Sequence, residues 1–184
     1  MSELLRPIVL SAMLAAIVPA QAQPLQDAQS AVARQDWAAA LRLLQPLARD
    51  GLAQAQLQLG LLHYHGQGVP ENNDEARRWI ERAARQGLAE AQFRLGTMYA
   101  FGHAAAPADE DPNRLAALWF FEAASQGHAD AQYSLGILFL TGSGVVNSPD
   151  EAEKWIARAA AQGHADARAY LAGAPRVKAA PGRS

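Results

Sequence analysis

Cysteine is absent from the 184-residue chain. Its absence excludes a disulfide framework, a thiolate metal site and a thioester or lipobox lipid anchor. Charge of one sign is also missing: 16 Lys and Arg stand against 18 Asp and Glu, a formal net charge of −2. There is thus no general electrostatic attraction to nucleic acid or anionic lipid. β-branched residues are sparse while alanine is abundant, a balance that favours helix. Serines are few, and none stands in Gly-x-Ser-x-Gly, so no nucleophile elbow is present. What remains is a half-apolar chain (50% hydrophobic residues), enough at this length for one domain with a real core.

The first residues read as a processing segment rather than as fold. Met1 to Arg6 is a short charged region, and Pro7 to Pro19 is an apolar run too short to span a bilayer comfortably. Ala20-Gln21-Ala22 then forms an A-x-A cleavage site. Residues 1–22 are therefore expected to be a signal peptide, with the mature chain starting at Gln23. Losing the segment removes Glu3 and Arg6 and leaves the net charge at −2. Without a cysteine to carry lipid, the mature protein is expected free in an oxidising compartment, with no stable membrane insertion. The periplasm is the simplest choice, with full secretion the alternative.

The rest of the chain repeats itself. Leu-Gly pairs occur at Leu59-Gly60, Leu95-Gly96 and Leu135-Gly136, spaced by 36 and 40 residues. Tryptophans stand at Trp79, Trp119 and Trp155, spaced by 40 and 36. Alanine pairs follow each tryptophan, at Ala83-Ala84, Ala123-Ala124 and Ala159-Ala160. Each unit closes on Gln-Gly, at Gly87, Gly127 and Gly163, and an Ala-x-Ala-Gln run reopens the cycle at Ala53, Ala89 and Ala129. Repeats at this period signal stacked supersecondary units.

Each unit reads as two helices. Helix A of the first unit spans about Ala53 to His65 and is closed by Gly66-Gln67-Gly68. Helix B spans about Asp74 to Gln86 and is closed by Gly87. Ser148-Pro149 with Glu151 forms a capping box with proline at the first helical position. Asn72 and Glu75 hold the same places in the first unit, and Asp111-Pro112 opens helix B of the second. Residues 23–50 read as a degenerate unit: Ala40 falls 36 before Ala76 and Gly51 falls 36 before Gly87. Pro46 inside it is expected to kink the last turn. Three full units plus a terminal helix, Ala165 to Ala172, occupy residues 51–172, and residues 173–184 are expected to form a frayed tail.

The run Ala53-x-Ala55-Gln56-x-x-Leu59-Gly60, Gly66-x-Gly68-Val69, Ala76-x-x-Trp79 and Ala83-Ala84-x-Gln86-Gly87 resembles a Sel-1-like repeat, a relative of the tetratricopeptide repeat with a longer loop. The third unit matches as well through Gly142-Ser143-Gly144-Val145. The second departs after Gly102, where His103 to Pro107 replace Gly-Val and four residues are extra. The resemblance implies an all-α fold, a right-handed α-solenoid of antiparallel helix pairs. It also implies a scaffold or regulator in the cell envelope that binds a protein or peptide partner. Some cysteine-rich exported members are linked to β-lactam binding or hydrolysis, so a binder of cell-wall fragments or β-lactams with weak hydrolase activity is the alternative.

Glycine inside a helix costs about 1 kcal/mol relative to alanine. Gly60, Gly96 and Gly136 repeat that cost, so close helix approach is expected there, with Trp79, Trp119 and Trp155 filling space between layers. Advancing about 100° per residue puts Ala55, Leu59, Gly60, Leu62 and His63 on one face of helix A. Gln58, Leu61 and His65 lie on the opposite face, with Arg94, Thr97 and Phe101 matching them in the second unit and Ser134, Ile137 and Thr141 in the third. These positions vary while the motif face stays fixed. In stacked helical hairpins the A helices line the concave side, so this stripe is the candidate partner-binding surface. Its apolar members could equally pack between adjacent A helices.

Five histidines invite a metal reading, but His63 and His65 point about 160° apart on a helix. His128 and His164 hold matching places after Gln-Gly, and His103 lies in the long loop. Asp109-Glu110-Asp111 lacks the spaced ligands and glycine of a calcium loop. Gly66-x-Gly68 and Gly142-x-Gly144 are turns, with no Gly-Lys-Ser/Thr after them. No catalytic residue, metal or cofactor is expected.

Overall fold

The structure, a computed structural model, describes residues 22–173. The expected signal peptide and tail lie outside the described residues, save Ala22 and Gly173 at their edges. Among the described residues every regular element is a helix. Helix α1 covers residues 22–33 and is followed by α2 (Trp37–Arg49), α3 (Ala53–His65), α4 (Asn73–Arg85) and α5 (Ala89–Ala100). Then come α6 (Pro112–Ser125), α7 (Ala129–Thr141), α8 (Pro149–Ala161) and α9 (Ala165–Gly173). Even-numbered helices are the B helices and odd-numbered ones the A helices. Within the first part of the chain α3 packs on α2 and on α4, and in the second α7 packs on α6 and on α8, with α9 on α8, as antiparallel neighbours. None is long and apolar enough to cross a membrane.

Local chemistry sets where the B helices begin. The side chain of Asn72 accepts from Glu75 N at 2.9 Å and that of Ser148 from Glu151 N at 3.4 Å. The Asp111 carboxylate takes Asn113 N at 2.9 Å, with Pro112 at the first helical position. Each bond satisfies a backbone N–H that the helix cannot. The degenerate unit is capped in the same way, by Asp36 on Ala39 N. Helix α2 runs on through Pro46 to Arg49. Helices α3 and α7 stop at Gly66 and Gly142, whose φ of +65° and +71° carry the left-handed turn out of the helix.

The chain divides between Ala91 and Gln92 into two compact units. The core of the first is built from Ala28, Ala40, Leu44, Leu47, Ala55, Leu59 and Leu62, with Trp37, Leu41 and Trp79 packed on it. In the second, Ile156, Ala159 and Ala167 form a cluster against which Tyr133, Ile137 and Leu140 lie. Small residues at the crossings let the helix axes come close, and leucine and isoleucine fill the volume between.

The helical glycines do mark close approach, each meeting a side chain and a backbone carbonyl of the following B helix. A Cβ on Gly60 would stand 2.6 Å from Ile80 Cγ1, and one on Gly136 2.5 Å from Ile156 Cγ1. Gly96 faces Phe120 in the same way. Each partner is the residue after the tryptophan. The tryptophans lie one step round the helix: Trp79 and Trp119 are half-buried and Trp155 is buried. Arg82 lies 4.5 Å over the Trp79 ring and Arg158 4.4 Å over that of Trp155, so one face of each ring carries a guanidinium.

The motif glutamines form the polar joints. Gln56 and Gln132 are buried, and each donates its amide to a carbonyl of the preceding B helix, Ala48 O at 3.0 Å and Ala124 O at 3.1 Å. Each accepts in turn from the glutamine that ends its own unit, Gln86 and Gln162, both at 2.7 Å. Gln126 donates to Gln92 at the same distance. These bonds explain why Ala-x-Ala-Gln and Gln-Gly recur together.

Candidate interaction surface

The two parts of the helix A stripe are placed as follows. In the first unit Gln58 and Leu61 are half-buried and His65 is exposed, with the Tyr64 ring edge-on to His65 at 5.0 Å. In the second, Arg94 is exposed and lies 5.7 Å from the Phe93 ring centre. Thr97 is half-buried and its hydroxyl donates to Phe93 O at 2.9 Å. Phe101 lies just past the end of α5 and is 72% exposed. Ser134 and Ile137 are half-buried and Thr141 is exposed. The Thr141 hydroxyl lies 3.1 Å from Ile137 O and 2.9 Å from Ser143 Oγ. Ile137 packs against the α8–α9 cluster, so its apolar surface serves the fold. His65, Arg94, Phe101 and Thr141 are the outward members, and Phe101 is the large apolar one among them.

Two of the histidines cap helices. His128 and His164 cap α7 and α9: their Nδ1 atoms accept from Ala131 N at 3.3 Å and Ala167 N at 3.2 Å. Their rings stack on Phe93 at 4.7 Å and Tyr133 at 4.6 Å. Among the described residues no three His, Asp or Glu side chains gather as a metal site would require.

A second surface lies outside the helix A stripe, on a B helix, where the helix A periodicity gives no sign of it. The second compact unit holds an open hollow of about 750 Å³. Leu115, Leu118 and Phe121 of α6 form one wall, and Leu135 and Phe139 of α7 with Val145 form the other. Asp109, Glu110, Asp111 and Arg114 stand at its lip. Leu118 is 53% exposed and Phe121 47%. Where Leu118 stands, the flanking units carry Arg78 and Lys154; where Phe121 stands, they carry Glu81 and Ala157; Leu115 replaces Glu75 and Glu151.

Those other B helices bear ion pairs on this face. Arg77 and Arg85 reach Glu81 at 2.7 and 2.5 Å, Arg78 reaches Glu75 at 3.1 Å, and Lys154 reaches Glu151 at 2.6 Å. The Glu151 carboxylate holds the Lys154 ammonium above its ordinary range. Exposed pairs of this kind add little stability and mark a solvated face. Unit-by-unit comparison of the B helices is the signal that finds the apolar exception.

Successive helix pairs, each closed by the same glycine and glutamine joints, define a helical-repeat scaffold. The Sel1 repeat family matches residues 53–88, 89–128 and 129–164, more than half of the chain, and the chain belongs to that family. Such repeats typically mediate protein–protein interaction. A Sel1 repeat protein from Oxalobacter formigenes is similar in structure with a TM-score of 0.63 and 37% identity, over 72% of this chain and 96% of that one. The protein c5321, a protective antigen of uropathogenic Escherichia coli strains, has a TM-score of 0.67 and 31% identity, over 77% of this chain and 31% of its own. Helicobacter pylori cysteine rich protein B shares the fold, with a TM-score of 0.52 and 21% identity, over 79% of this chain and 95% of that one. Comparison with curated proteins finds no match.

Proposed function

We propose that this chain is an exported adaptor or regulator that holds a protein or peptide segment in the periplasm. The observation that carries the reading is the split between repeated inward positions and varied outward ones. Leu59, Leu95 and Leu135 are buried alike in all three units, while Arg94 and Phe101 face solvent with no counterpart of the same type in the flanking units. A scaffold needs only the inward set; the outward set is free to serve a partner. The A-x-A site after a short apolar run supports export.

Two measurements test the proposal. Affinity capture from the native envelope, with the full chain as bait, is expected to retain a defined protein that Arg94→Ala with Phe101→Ala releases without loss of helix content. Equal capture by both forms would reject the stripe. Fractionation with N-terminal sequencing is expected to find periplasmic protein beginning at Gln23; cytoplasmic protein that keeps Met1 would reject export.

A further inference from the structure

We infer that the hollow of the second compact unit is a docking site for a partner segment that carries a large apolar side chain flanked by lysine or arginine. The inference rests on the adaptor reading and says which chemistry the adaptor takes. Two departures of the second repeat from its neighbours meet at this one place. Its B helix carries Leu118 and Phe121 where the other repeats carry Arg78 and Lys154, Glu81 and Ala157. Its helix A to helix B loop is longer by four residues, and that loop brings Asp109 and Glu110 to the edge of the apolar floor.

Leu118 and Phe121 are not the residues that pack the helix pair. The inward position next door, Phe120, is 4% exposed and does the packing, whereas Leu118 and Phe121 stand about half in water. Phe121 touches the edge of Trp155, ring centres 5.9 Å apart, and this contact fixes its orientation without covering it. The opposite wall is preformed as well. Gly144 brings the α7–α8 loop against the backbone of Asn113 and Arg114, and that contact holds Val145 over the hollow. A partner would find the site already shaped.

Charge decides the occupant. Three carboxylates, Asp109, Glu110 and Asp111, share the lip with the single cation Arg114. An anionic membrane surface or an acidic peptide would be repelled, whereas a lysine or arginine beside the apolar anchor would be drawn to the lip. The apolar floor then supplies the affinity by burying a leucine- or phenylalanine-sized group.

The test is a selection of random phage-displayed peptides on the full chain, followed by titration of the enriched peptides. Leu118→Lys with Phe121→Glu installs side chains that other repeats already carry at those places, so folding is preserved and is checked by a thermal melt. Asp109→Asn with Glu110→Gln isolates the lip. The enriched peptides are expected to pair an aromatic or aliphatic residue with an adjacent basic one. They should bind the Leu118→Lys/Phe121→Glu chain at least about tenfold more weakly, and the lip variant should lose affinity chiefly at low salt. Enriched peptides that lack basic residues, or that bind the double variant unchanged, overturn the inference. Peptides that respond to Arg94→Ala/Phe101→Ala instead would leave the adaptor reading standing and remove the hollow from it. No enrichment at all would count against both. Dimers of the wild-type chain that this substitution dissolves would assign the face to a second copy and overturn the peptide site.

Discussion

Gly96 lies directly against Phe120: a Cβ on the glycine would stand 2.7 Å from Phe120 Cδ1 and 3.2 Å from Ala116 O. In an open helix, replacing this glycine by alanine would gain about 1 kcal/mol. Here the added atoms enter a filled space, where overpacking costs about 1–3 kcal/mol. Gly96→Leu is therefore expected to lower the melting temperature by several degrees, as about 2–4 °C follows each kcal/mol at this chain length. Gly96→Ala should be harmful in the wild-type background and neutral or favourable in Phe120→Ala, the coupling expected of residues in contact. An unchanged melting temperature in Gly96→Leu would remove the packing account.

The left-handed glycines of the loops separate conformation from contact. Gly102 and Gly144 share nearly the same φ, +71° and +70°. A Cβ on Gly102 meets nothing within 4 Å, while one on Gly144 runs into the backbone of Asn113 and Arg114. Gly102→Ala should cost only the left-handed strain, about 1–2 kcal/mol. Gly144→Ala should cost clearly more, because peptide groups inside a capped helix start cannot step aside. Urea unfolding of both variants measures the difference. Equal losses would mean that the α7–α8 loop does not need to lie on α6.

Much of the architecture is legible before any coordinates. The recurrence of Leu-Gly, Trp and Gln-Gly marks two helices per unit, and Asn72, Asp111 and Ser148 mark where each B helix begins. Spacing says which face a residue occupies; it does not say what stands opposite. That is why Gly60, Gly96 and Gly136 announce a close approach without naming Ile80, Phe120 and Ile156, the residues that meet them. It is also why Gln56 and Gln132 read as motif marks, though they are buried joints between helices. The hollow was hidden for a different reason. It is assembled from α6, α7 and two loops, and its one-dimensional trace is a pair of residues, Leu118 and Phe121, that look ordinary until set beside Lys154 and Glu81.

Gln132 joins helices from within the core. It is 5% exposed, donates to Ala124 O at 3.1 Å and accepts from Gln162 Nε2 at 2.7 Å. Gln132→Leu keeps the bulk but strips a buried carbonyl of its donor, a loss of about 1–3 kcal/mol. Gln162 is exposed, so Gln162→Ala returns its partner to water only in part and should cost less. Urea midpoints that rank the two variants in the reverse order would refute the view that the Ala124 carbonyl bond dominates the joint.

His128 combines a cap with a stack. Its Nδ1 accepts from Ala131 N at 3.3 Å and its ring lies 4.7 Å from that of Phe93. With Nδ1 accepting, the neutral ring carries its proton on Nε2. Asparagine can keep the acceptor but not the ring, and alanine keeps neither. The cap is worth about 1 kcal/mol, and a ring pair adds about 0.5–1.5 kcal/mol. Thermal stability should thus fall in the order wild type, His128→Asn, His128→Ala, with the two steps of similar size. The same series at His164, which stacks on Tyr133 and caps α9, should follow it. Its steps should be smaller, because α9, with 9 residues against 13 in α7, is the shorter helix and offers less structure for the cap to hold. A His128→Asn chain as unstable as His128→Ala would show that the ring, and not the cap, fixes the start of α7.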